Sequence, residues 1–508
     1  MLRRGAAGCN TRVALYAVRR LLLLLVAGLV LVACTQHETA TDTLAKIREA
    51  GVLKWGADIQ GGAPYIYEDP EKPGEIKGFE VELAQALADE LGVKAEFVQN
   101  DWSALVPSLE RGTFDIAMNG IEVTPSRTAR VLFTRPYYVF ASRLMARRDD
   151  PRIEADIKSL KGLRVGTLTA SFTADQLLAE GIEPVYYEGQ EEPYQDLVQK
   201  RIDAVFLDDI IAGRYGQNKP QLRVVGDLAD GFYAIAIRKE DEALREALDA
   251  ALGKLIENGK LEEILRREEI WNERQIGLRA WSEADQRRLL GDATAAVGLR
   301  WHHVVTFVEA AGVTLILSIL SMAIAIPLGM GLAVARLYGN RVVSRLAEAY
   351  VELYRGTPVL LQLYVIYYGL ADIIKLDAFS AAILGLGMNY AAYEAEVYRA
   401  GIQAVPRGQM EAAVSLGMQT PMALRRVVLP QAFRLALPSV TNDFIALLKD
   451  SSLVSVITVV ELTKRMTIVA VDVRSWMIPG ALCALLYFIM SYPLSLFARR
   501  LEARLARS

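Results

Sequence analysis

The stretch EAAVSLGMQTPMALRRVVLP, residues Glu411 to Pro430, lies in the most hydrophobic third of the chain, yet it carries one acid, two adjacent arginines and two prolines. Gly417 and Pro421 interrupt its helix-forming residues, which predicts two short helices joined by a bend. Apolar segments precede and follow it in the sequence. The pattern therefore favours a loop between membrane spans, and the role of the chain depends on what that loop contacts.

Composition and charge divide the chain into two parts. Of its 508 residues 52% are hydrophobic, which is too apolar for an ordinary soluble enzyme. Residues 35–300 contain 34 Lys and Arg against 47 Asp and Glu, whereas residues 301–508 contain 18 against 13, so the two parts are expected to lie in different surroundings. Three widely spaced cysteines and only three histidines indicate neither a disulfide framework nor a metal site, and no cofactor is expected.

The first 33 residues are typical of a secretion signal. Five arginines and no acid precede the 13-residue apolar run LLLLLVAGLVLVA, which is too short for a membrane span. The run ends in Leu31-Val32-Ala33-Cys34, which resembles the bacterial lipobox, where the signal is cleaved and the cysteine is acylated. The alternative is an uncleaved anchor with an incidental cysteine. Both interpretations export the segment that follows, because the arginines favour the cytoplasmic side.

Residues 44–270 alternate short apolar strands with amphipathic helices, which is typical of α/β layers. In GFEVELAQALADELG, residues 78–92, Phe79 and three leucines recur every four residues on one helix face, and Gly92 marks the end. SLERGTFDIAMNG, 108–120, and LVQKRIDAVFLDD, 197–209, share one pattern of helix end, turn, buried strand and polar loop. Two similar lobes are predicted, with the ligand beyond the carboxyl ends of their strands.

Three of these strand ends carry charge, on Asp58, Arg127 and Asp208. An arginine can hold a carboxylate through two hydrogen bonds and a carboxylate can hold an ammonium group, so together they match a zwitterion. Thr124 and Pro125 begin a helix whose free N–H groups favour an anion. Aromatic side chains nearby are expected to form the walls of the pocket.

This segment resembles the two-lobed extracytoplasmic binding proteins for polar amino acids, through GADIQGGAPY, GFEVELAQAL, NGIEVTPSR, the hinge-like LFTRPYY and DAVFLDD. The resemblance implies a clamp in which Arg127 binds the α-carboxylate and Asp208 the α-ammonium. It also implies backbone contacts from Gly120 and side-chain contacts from Trp102 and Asp58. The substrate-binding residues expected are Asp58, Tyr65, Trp102, Asn119, Gly120, Glu122, Arg127, Ser171 and Asp208.

Glu122 departs from that family's pattern, in which Ser or Thr usually donates to the ligand carboxylate. An acid there repels a carboxylate unless it is turned away, protonated or engaged with a cationic group. Gly61 and Gly62 stand where relatives often place an aromatic side chain over the ligand. The preference of the pocket is therefore open, and Asp58 with Glu122 favours a basic amino acid.

The remainder of the chain predicts a linker, residues 271–300, followed by an all-α transmembrane domain of about five helices, residues 301–508. Residues 310–335 and 475–498 carry no charge and are long enough to cross a bilayer of about 30 Å. Three less uniform apolar segments lie near 346–371, 376–396 and 435–461. Arginines follow the first, third and last of these five spans, which places the loop 405–434 and the C-terminus in the cytoplasm and the clamp outside.

The loop resembles the coupling loop of ABC importer membrane subunits: Glu-Ala-Ala, three residues, Gly, nine residues, Ile, any residue, Leu-Pro. Val427 replaces the Ile, and the other positions match at Glu411, Ala412, Ala413, Gly417, Leu429 and Pro430. YEAEVYRAGIQAVPRGQ and YVELYRGTPVLLQLY upstream resemble the polar amino-acid branch. The resemblance implies a binding protein fused to its permease, paired as a homodimer in the bacterial cytoplasmic membrane and driven by a dimer of separate cytoplasmic ATPase subunits.

Two other classes of function fit the sequence less well. A ligand-gated ion channel with an amino-acid clamp needs a selectivity filter such as TVGYG, which the sequence lacks. Some relatives of such clamps are dehydratases or are fused to peptidoglycan-cleaving domains, but nothing after residue 270 resembles a soluble catalytic domain. No GxxxxGK[ST] phosphate loop is present, so ATP is expected to be hydrolysed by another polypeptide. No enzymatic activity and no nucleic-acid partner are expected of this chain.

Overall fold

The computed structural model describes residues 43–290, 298–473 and 475–505. The predicted signal peptide, residues 1–33, and the predicted acylation site, Cys34, lie outside the described residues. Residues 43–290 form an α/β unit, here called the clamp, and residues 298–505 form a helical domain. The α/β and all-α fold classes predicted from the sequence are confirmed.

The clamp is built on strands of very different length. They are β1 Val52–Ala57, β2 Tyr67–Glu68, β3 Ile76–Lys77, β4 Lys94–Gln99, β5 Ile116–Ala117, β6 Val131–Arg147, β7 Val165–Leu168, β8 Val185–Tyr187, β9 Ala204–Asp208 and β10 Leu222–Arg238. Eight of them form one mixed sheet in the order β4-β1-β5-β10-β6-β9-β7-β8, and β2 pairs with β3.

Strands β6 and β10 connect two lobes. Each is 17 residues long, and the two pair antiparallel along their length with several register shifts. On one side β5, β1 and β4 extend the sheet to form lobe 1, and on the other β9, β7 and β8 extend it to form lobe 2. The hinge-like stretch LFTRPYY lies in the first half of β6. The two predicted lobes therefore share one pair of crossing strands.

Helices alternate with these strands along the clamp. They are α1 Thr43–Ala50, α2 Phe79–Leu91, α3 Leu105–Glu110, α4 Pro125–Thr128, α5 Phe172–Ala179, α6 Glu192–Val198, α7 Asp209–Ile211, α8 Glu242–Glu257, α9 Lys260–Arg267 and α10 Glu283–Leu290. The apolar face predicted for α2 is buried at Phe79, Leu83 and Leu87, and Gly92 ends the helix with a left-handed φ of 74°. These contacts anchor α2 to the core of lobe 1.

The predicted linker, residues 271–300, is part of the clamp over its first twenty residues. A short helical segment, Glu273–Ala280, lies against β6, where the Gln275 side chain exchanges two hydrogen bonds with the backbone of Val139, at 2.9 and 2.8 Å. Leu278 is buried in the same core. Because Gln275 satisfies backbone groups of β6, the packing of the clamp continues past residue 270.

The helical domain contains helices of mixed polarity. They are α11 Trp301–Tyr338, α12 Arg341–Gly356, α13 Val359–Tyr364, α14 Ala378–Ala404, α15 Arg407–Ser415, α16 Thr420–Ala423, α17 Leu429–Asp450, α18 Leu462–Asp472 and α19 Met477–Leu505. Among the described helices, Trp301–Tyr338 and Met477–Leu501 are long and apolar enough, by length and composition, to cross a membrane.

The segment predicted near 346–371 is divided in the structure. Helix α12 ends at Gly356, Thr357 is extended, and Pro358 precedes α13. Proline disfavours the helical conformation of the residue before it, which explains the break. The segments predicted near 376–396 and 435–461 correspond to α14 and to α17 with the turn after it.

Glycines allow the long helices of this domain to approach closely. A Cβ atom on Gly329 of α11 would lie 2.5 Å from the Cβ of Glu394 in α14. A Cβ atom on Gly401 of α14 would lie 2.9 Å from the backbone oxygen of Ala432 in α17. Close packing through small residues is the usual way in which helices associate where no hydrophobic effect drives them together.

Lobe 2 is docked on the helical domain through several polar contacts, which include an ion pair between Arg465 and Glu183. Arg201 of lobe 2 donates to the backbone oxygen of Tyr367 at 2.7 Å, and the Tyr367 hydroxyl donates to Asp196 at 2.7 Å. In another contact, Lys464 of α18 donates to the Thr169 hydroxyl at 3.0 Å and pairs with Glu188. The clamp and the helical domain are therefore joined by side chains as well as by the chain between them.

Candidate functional site

A cleft of about 230 Å³ lies between the lobes, at the carboxyl ends of β1, β5, β7 and β9. Eight of the nine predicted substrate-binding residues line it: Asp58, Tyr65, Trp102, Asn119, Gly120, Glu122, Ser171 and Asp208. The ninth, Arg127, lies behind Glu122 and beside Trp102. Ligands of such sheets bind beyond the carboxyl ends of the strands. Residues that are widely separated in the sequence therefore meet in one cavity.

The Asp58 carboxylate is fixed at the lobe 1 side of the cleft. It accepts hydrogen bonds from the backbone N–H groups of Gln60, at 3.0 Å, and Trp102, at 2.9 Å, and from the Gln99 side chain at 3.1 Å. The Asp58 N–H donates to the Asn119 side-chain oxygen at 3.0 Å. Asp58 therefore holds the two loops of lobe 1 in register while its buried carboxylate borders the cleft.

Gly120 contributes its shape to the cleft, because its N–H is already used inside lobe 1. That N–H donates to Glu80 at 2.6 Å, and the Tyr137 hydroxyl donates to the same oxygen at 2.5 Å. Gly120 has a φ of 59°, and a Cβ atom there would lie 2.8 Å from the Tyr65 ring. Glu80 is fully buried, and this burial raises its pKa to about 7.

Lobe 2 supplies Ser171 and Asp208. The Ser171 hydroxyl caps α5 by accepting from the Ala174 N–H at 3.1 Å, and it donates to the Leu168 backbone oxygen at 2.9 Å. Asp208 ends β9 and accepts a hydrogen bond from the Tyr233 hydroxyl. Burial first, and then the charge of Glu122, raise the pKa of Asp208 well above its usual range.

Arg127 forms a buried ion pair with Glu122. Its Nη1 atom lies 2.8 Å from the Glu122 carboxylate and 2.9 Å from the Glu122 backbone oxygen, and its Nη2 atom donates to the Ala170 backbone oxygen at 2.8 Å. The guanidinium carbon is 5.1 Å from the centre of the Trp102 ring. Of the arrangements foreseen for Glu122, the structure shows engagement with a cationic group.

Sequence reasoning missed several residues that border the cleft. Three acids line its lobe 2 rim, namely Glu188, Glu191 and Glu192. Two tyrosines, Tyr215 and Tyr233, close it from the hinge side. The signal for the acids is the stretch EGQEEP, residues 188–193, which directly follows the apolar strand β8. No comparable signal marks Tyr233, because it lies inside the long strand β10.

The loop 405–434 contains the two short helices predicted from Gly417 and Pro421. Helix α15 ends at Ser415, Gly417 has a left-handed φ of 86°, and Pro421 lies in the first turn of α16. Glu411 and Ala412 are exposed, Ala413 is buried, and Leu429 and Pro430 begin α17.

Apolar side chains of this loop face outward. Leu416 is 82% exposed, Val414 47% and Met422 44%. An exposed apolar patch on a small loop is typical of a surface that binds a partner.

Comparison with known proteins matches each part of the chain to one family. Residues 53–268 match the "Bacterial extracellular solute-binding proteins, family 3", and residues 325–507 match the "Binding-protein-dependent transport system inner membrane component". The first range lies within the clamp, and the second covers the helical domain from residue 325 onward.

Curated relatives match the helical domain. A "Probable amino-acid ABC transporter permease protein" of Vibrio harveyi is 42% identical over 30% of this chain and 71% of its own length. A "Putative glutamine transport system permease protein" of Rickettsia felis is 34% identical over 39% of this chain and 92% of its own. An "Arginine transport system permease protein" of Bacillus subtilis is 33% identical over 39% of this chain and 91% of its own.

Proposed function

The chain belongs to the amino-acid ABC transporter permeases and carries a family 3 solute-binding domain in the same polypeptide. We propose that it mediates the ATP-dependent uptake of a polar ligand, a basic amino acid or a closely related cation. The clamp takes up the ligand and the helical domain passes it inward. ATP is hydrolysed by a separate ABC ATPase, because the sequence has no phosphate-binding loop of its own. Fusion of the clamp to the permease keeps its local concentration high at the entrance.

The charge of the cleft supports a cationic ligand, and it is the observation that carries the proposal. Among the described residues that line the cleft, acids are present on both lobes and no Lys, Arg or His is present. Arg127, which lies behind Glu122, is paired with it. A cationic side chain on the ligand would lower the cost of burying these carboxylates, whereas a neutral amide would not. The relatives are named for glutamine transport in one case and arginine transport in another, so the preference for a cationic ligand is argued from the cleft alone.

The coupling loop supports the ATPase partner. Its exposed Leu416, Val414 and Met422 form an apolar surface that suits a groove on a cytoplasmic subunit. The neighbouring Glu411 offers a charged group at the edge of that surface. In this proposal two copies of the helical domain pair as a homodimer, and each presents its loop to one member of the ATPase dimer.

The membrane arrangement follows from the same proposal. The chain crosses the bacterial cytoplasmic membrane several times, the clamp lies on the extracytoplasmic side, and the coupling loop and C-terminus lie in the cytoplasm. If the signal is cleaved, acylation of Cys34 attaches the clamp to lipid. A ligand-gated channel is the less favoured function, since it gives no role to the exposed loop.

The proposal is tested by uptake into proteoliposomes that contain the full chain and a candidate ABC ATPase. We expect ATP-dependent accumulation of labelled arginine or lysine, or of their amine analogues, and no accumulation with a non-hydrolysable nucleotide. Glutamine serves as the matched neutral ligand and is expected to compete weakly. Absence of any ATP-dependent uptake with every candidate ATPase would contradict the proposal, and an ATP-independent ion current on ligand addition would favour the channel.

A further inference from the structure

The clamp contains an anion-binding site that one of its own side chains occupies. Arg127 offers its guanidinium group at the back of the cleft, and the carboxylate that it holds is that of Glu122, at 2.8 Å. The Glu122 side chain is 3% exposed and that of Arg127 is 12% exposed, so water contributes little to either charge. This ion pair is therefore a fixed part of the cleft.

The second half of this anion site is the start of α5 in lobe 2. An interaction with the backbone N–H of Phe172, the first residue of the helix, partly offsets the rise in the pKa of Glu122 that burial causes. Arg127 also donates to Ala170, which lies just before the helix. A guanidinium group together with a free N–H at a helix start is a suitable site for a ligand carboxylate. Here Glu122 fills it.

The backbone fixes Glu122 in that position. Glu122 forms an isolated β-bridge with Tyr233 of the hinge strand β10, and its own backbone oxygen accepts from Arg127 at 2.9 Å. Swinging the side chain away would leave Arg127 without its carboxylate partner. A ligand carboxylate that entered the site beside Glu122 would place two carboxylates on one arginine, and like charges at such a separation repel.

The charged side chains that line the rest of the cleft are acids. Asp208 lies at one end beside the Tyr233 hydroxyl, Asp58 borders lobe 1, and acids stand on the lobe 2 rim. Lys464 of the helical domain, which reaches the rim of the cleft, is already paired with Glu188. None of the cleft-lining residues that the structure describes offers a second cationic group to an incoming carboxylate.

We infer that Glu122 takes the place of the ligand's α-carboxylate, so that the clamp selects an organic cation without a carboxylate, the amine counterpart of a basic amino acid, over the amino acid itself. This inference rests on the proposed function, from which it takes the cleft as the ligand site and the ligand as a cation. It changes the expected ligand from a basic amino acid to a cation of the same kind that lacks the carboxylate, an amine or a guanidine.

The inference is tested with ligand pairs that differ only by the carboxylate. Binding of agmatine and arginine, and of cadaverine and lysine, is measured by calorimetry on the full chain in lipid nanodiscs. We expect the amine of each pair to bind at least tenfold more tightly than the amino acid. Because this comparison uses the unaltered chain, it does not depend on the folding of any variant.

Two variants then locate the cause. Glu122→Thr provides a hydroxyl donor and removes the resident carboxylate, and it is expected to reverse the order within each pair. Glu122→Gln keeps the size of the side chain and is expected to reverse it less strongly. The matched control is Glu110→Gln, which removes an acid paired with an arginine, Arg130, on the surface of lobe 1, and it is expected to keep the order of the unaltered chain.

Three other binding results would contradict the inference, and some of them would also contradict the proposed ligand class. Arginine and lysine binding as tightly as their amines, or more tightly, would overturn the inference and leave the basic amino-acid importer standing. Tight binding of glutamine alone would overturn the inference and the cationic ligand together, while leaving the importer. If none of these ligands bound, both the inference and the proposed ligand class would be wrong.

Discussion

The ligand cleft and the coupling loop depart from the usual distribution of residues in opposite directions. In the cleft, charged groups are buried, with Glu122 and Asp208 at most 4% exposed. In the loop an apolar group is exposed, with Leu416 at 82%. Proteins ordinarily bury apolar side chains and leave charges in water. Each departure is unfavourable in the isolated chain, and each therefore marks a place that another molecule is expected to complete.

Substitutions in these two regions should therefore have different effects on the protein. Damage to the loop should leave the clamp folded and able to bind, because the loop lies in a different domain. Damage to the buried charges should destabilise the clamp itself, because an uncompensated buried charge is costly whether or not a ligand is present. We expect the largest change from a substitution in the loop and the smallest from one at the interface between lobe 2 and the helical domain.

Leu416→Asp is expected to reduce ATP-dependent uptake to less than a tenth of that of the unaltered chain. A carboxylate at the most exposed apolar position of the loop would have to lose its water on entering an apolar groove, which costs several kcal/mol. Uptake into proteoliposomes measures the effect, and calorimetry should show unchanged ligand binding. Leu178→Asp makes the same change at a clamp position that is 49% exposed and should leave uptake near normal. Normal uptake by the Leu416 variant would contradict the coupling role.

Arg127→Ala is expected to destabilise the clamp by about 3–5 kcal/mol, because it leaves the carboxylate of Glu122 buried without its partner. Hydrogen exchange of the amides in β6 and β10 of the full chain measures the loss. Adding Glu122→Gln to the same chain should recover most of it, since the buried charge is then removed as well.

Arg130→Ala is the matched control for this change. Its partner Glu110 is 38% exposed, so the pair is screened by water and its loss should cost less than about 1 kcal/mol. Equal effects of the two arginine variants would show that burial of the Glu122 pair has no energetic consequence.

Much of the fold could be predicted because local patterns determine it. The apolar spacing of α2, its end at Gly92 and the bend at Gly417 each depend on a few neighbouring residues. The break before Pro358 was equally local, and it was missed because the apolar character of the segment continues across it. The docking of Gln275 on β6 could not be read from the sequence, because its partner Val139 is 136 residues away.

The sequence could predict which residues line the cleft, but it could not predict which partners those residues contact. Strand ends located Asp58 and Asp208 in one cleft, because the topology of an α/β sheet brings such ends together. Whether Glu122 turns towards Arg127, five residues later, depends on the turn that Thr124 caps, and composition does not specify that turn. The acids of the lobe 2 rim follow a strand of three residues, which is too short for a clear periodic signal.

Glu80 predicts a pH dependence of clamp stability. Burial raises its pKa from 4.5 to about 7, so the folded state binds a proton that the unfolded state has released between these values. Stability contributed by Glu80 is therefore fully present below pH 4.5 and is lost as the pH rises to about 7, by at most about 3 kcal/mol. Glu80→Gln should reduce this slope, as measured by hydrogen exchange at several pH values.

The exposed Glu49→Gln is the control for the Glu80 variant, and it should keep the slope of the unaltered chain. A slope that is unchanged in Glu80→Gln would show that Glu80 does not titrate in this range. Glu80 lies beneath the cleft and accepts a hydrogen bond from the N–H of Gly120. Deprotonation of Glu80 would thus act on the floor of the cleft and not on the coupling loop.

The smallest effect is expected at Lys464, where the helical domain meets the rim of the cleft. Lys464 is 2% exposed and pairs with Glu188, so its charge offsets part of the negative potential that attracts a cationic ligand. Lys464→Ala should therefore tighten the binding of agmatine by about threefold, the effect of one charge acting across roughly 10 Å of partly screened surroundings. Calorimetry on the full chain measures it.

Arg465→Ala is the matched control for Lys464→Ala, since its partner Glu183 lies on the surface of lobe 2 away from the cleft-lining residues and is 67% exposed. It should leave agmatine affinity unchanged. If Lys464→Ala weakened binding instead, the lysine would stabilise the ligand-bound clamp through docking more than it competes for Glu188. The sign of this small change therefore decides whether the helical domain opposes the ligand at the rim of the cleft or helps the clamp to hold it.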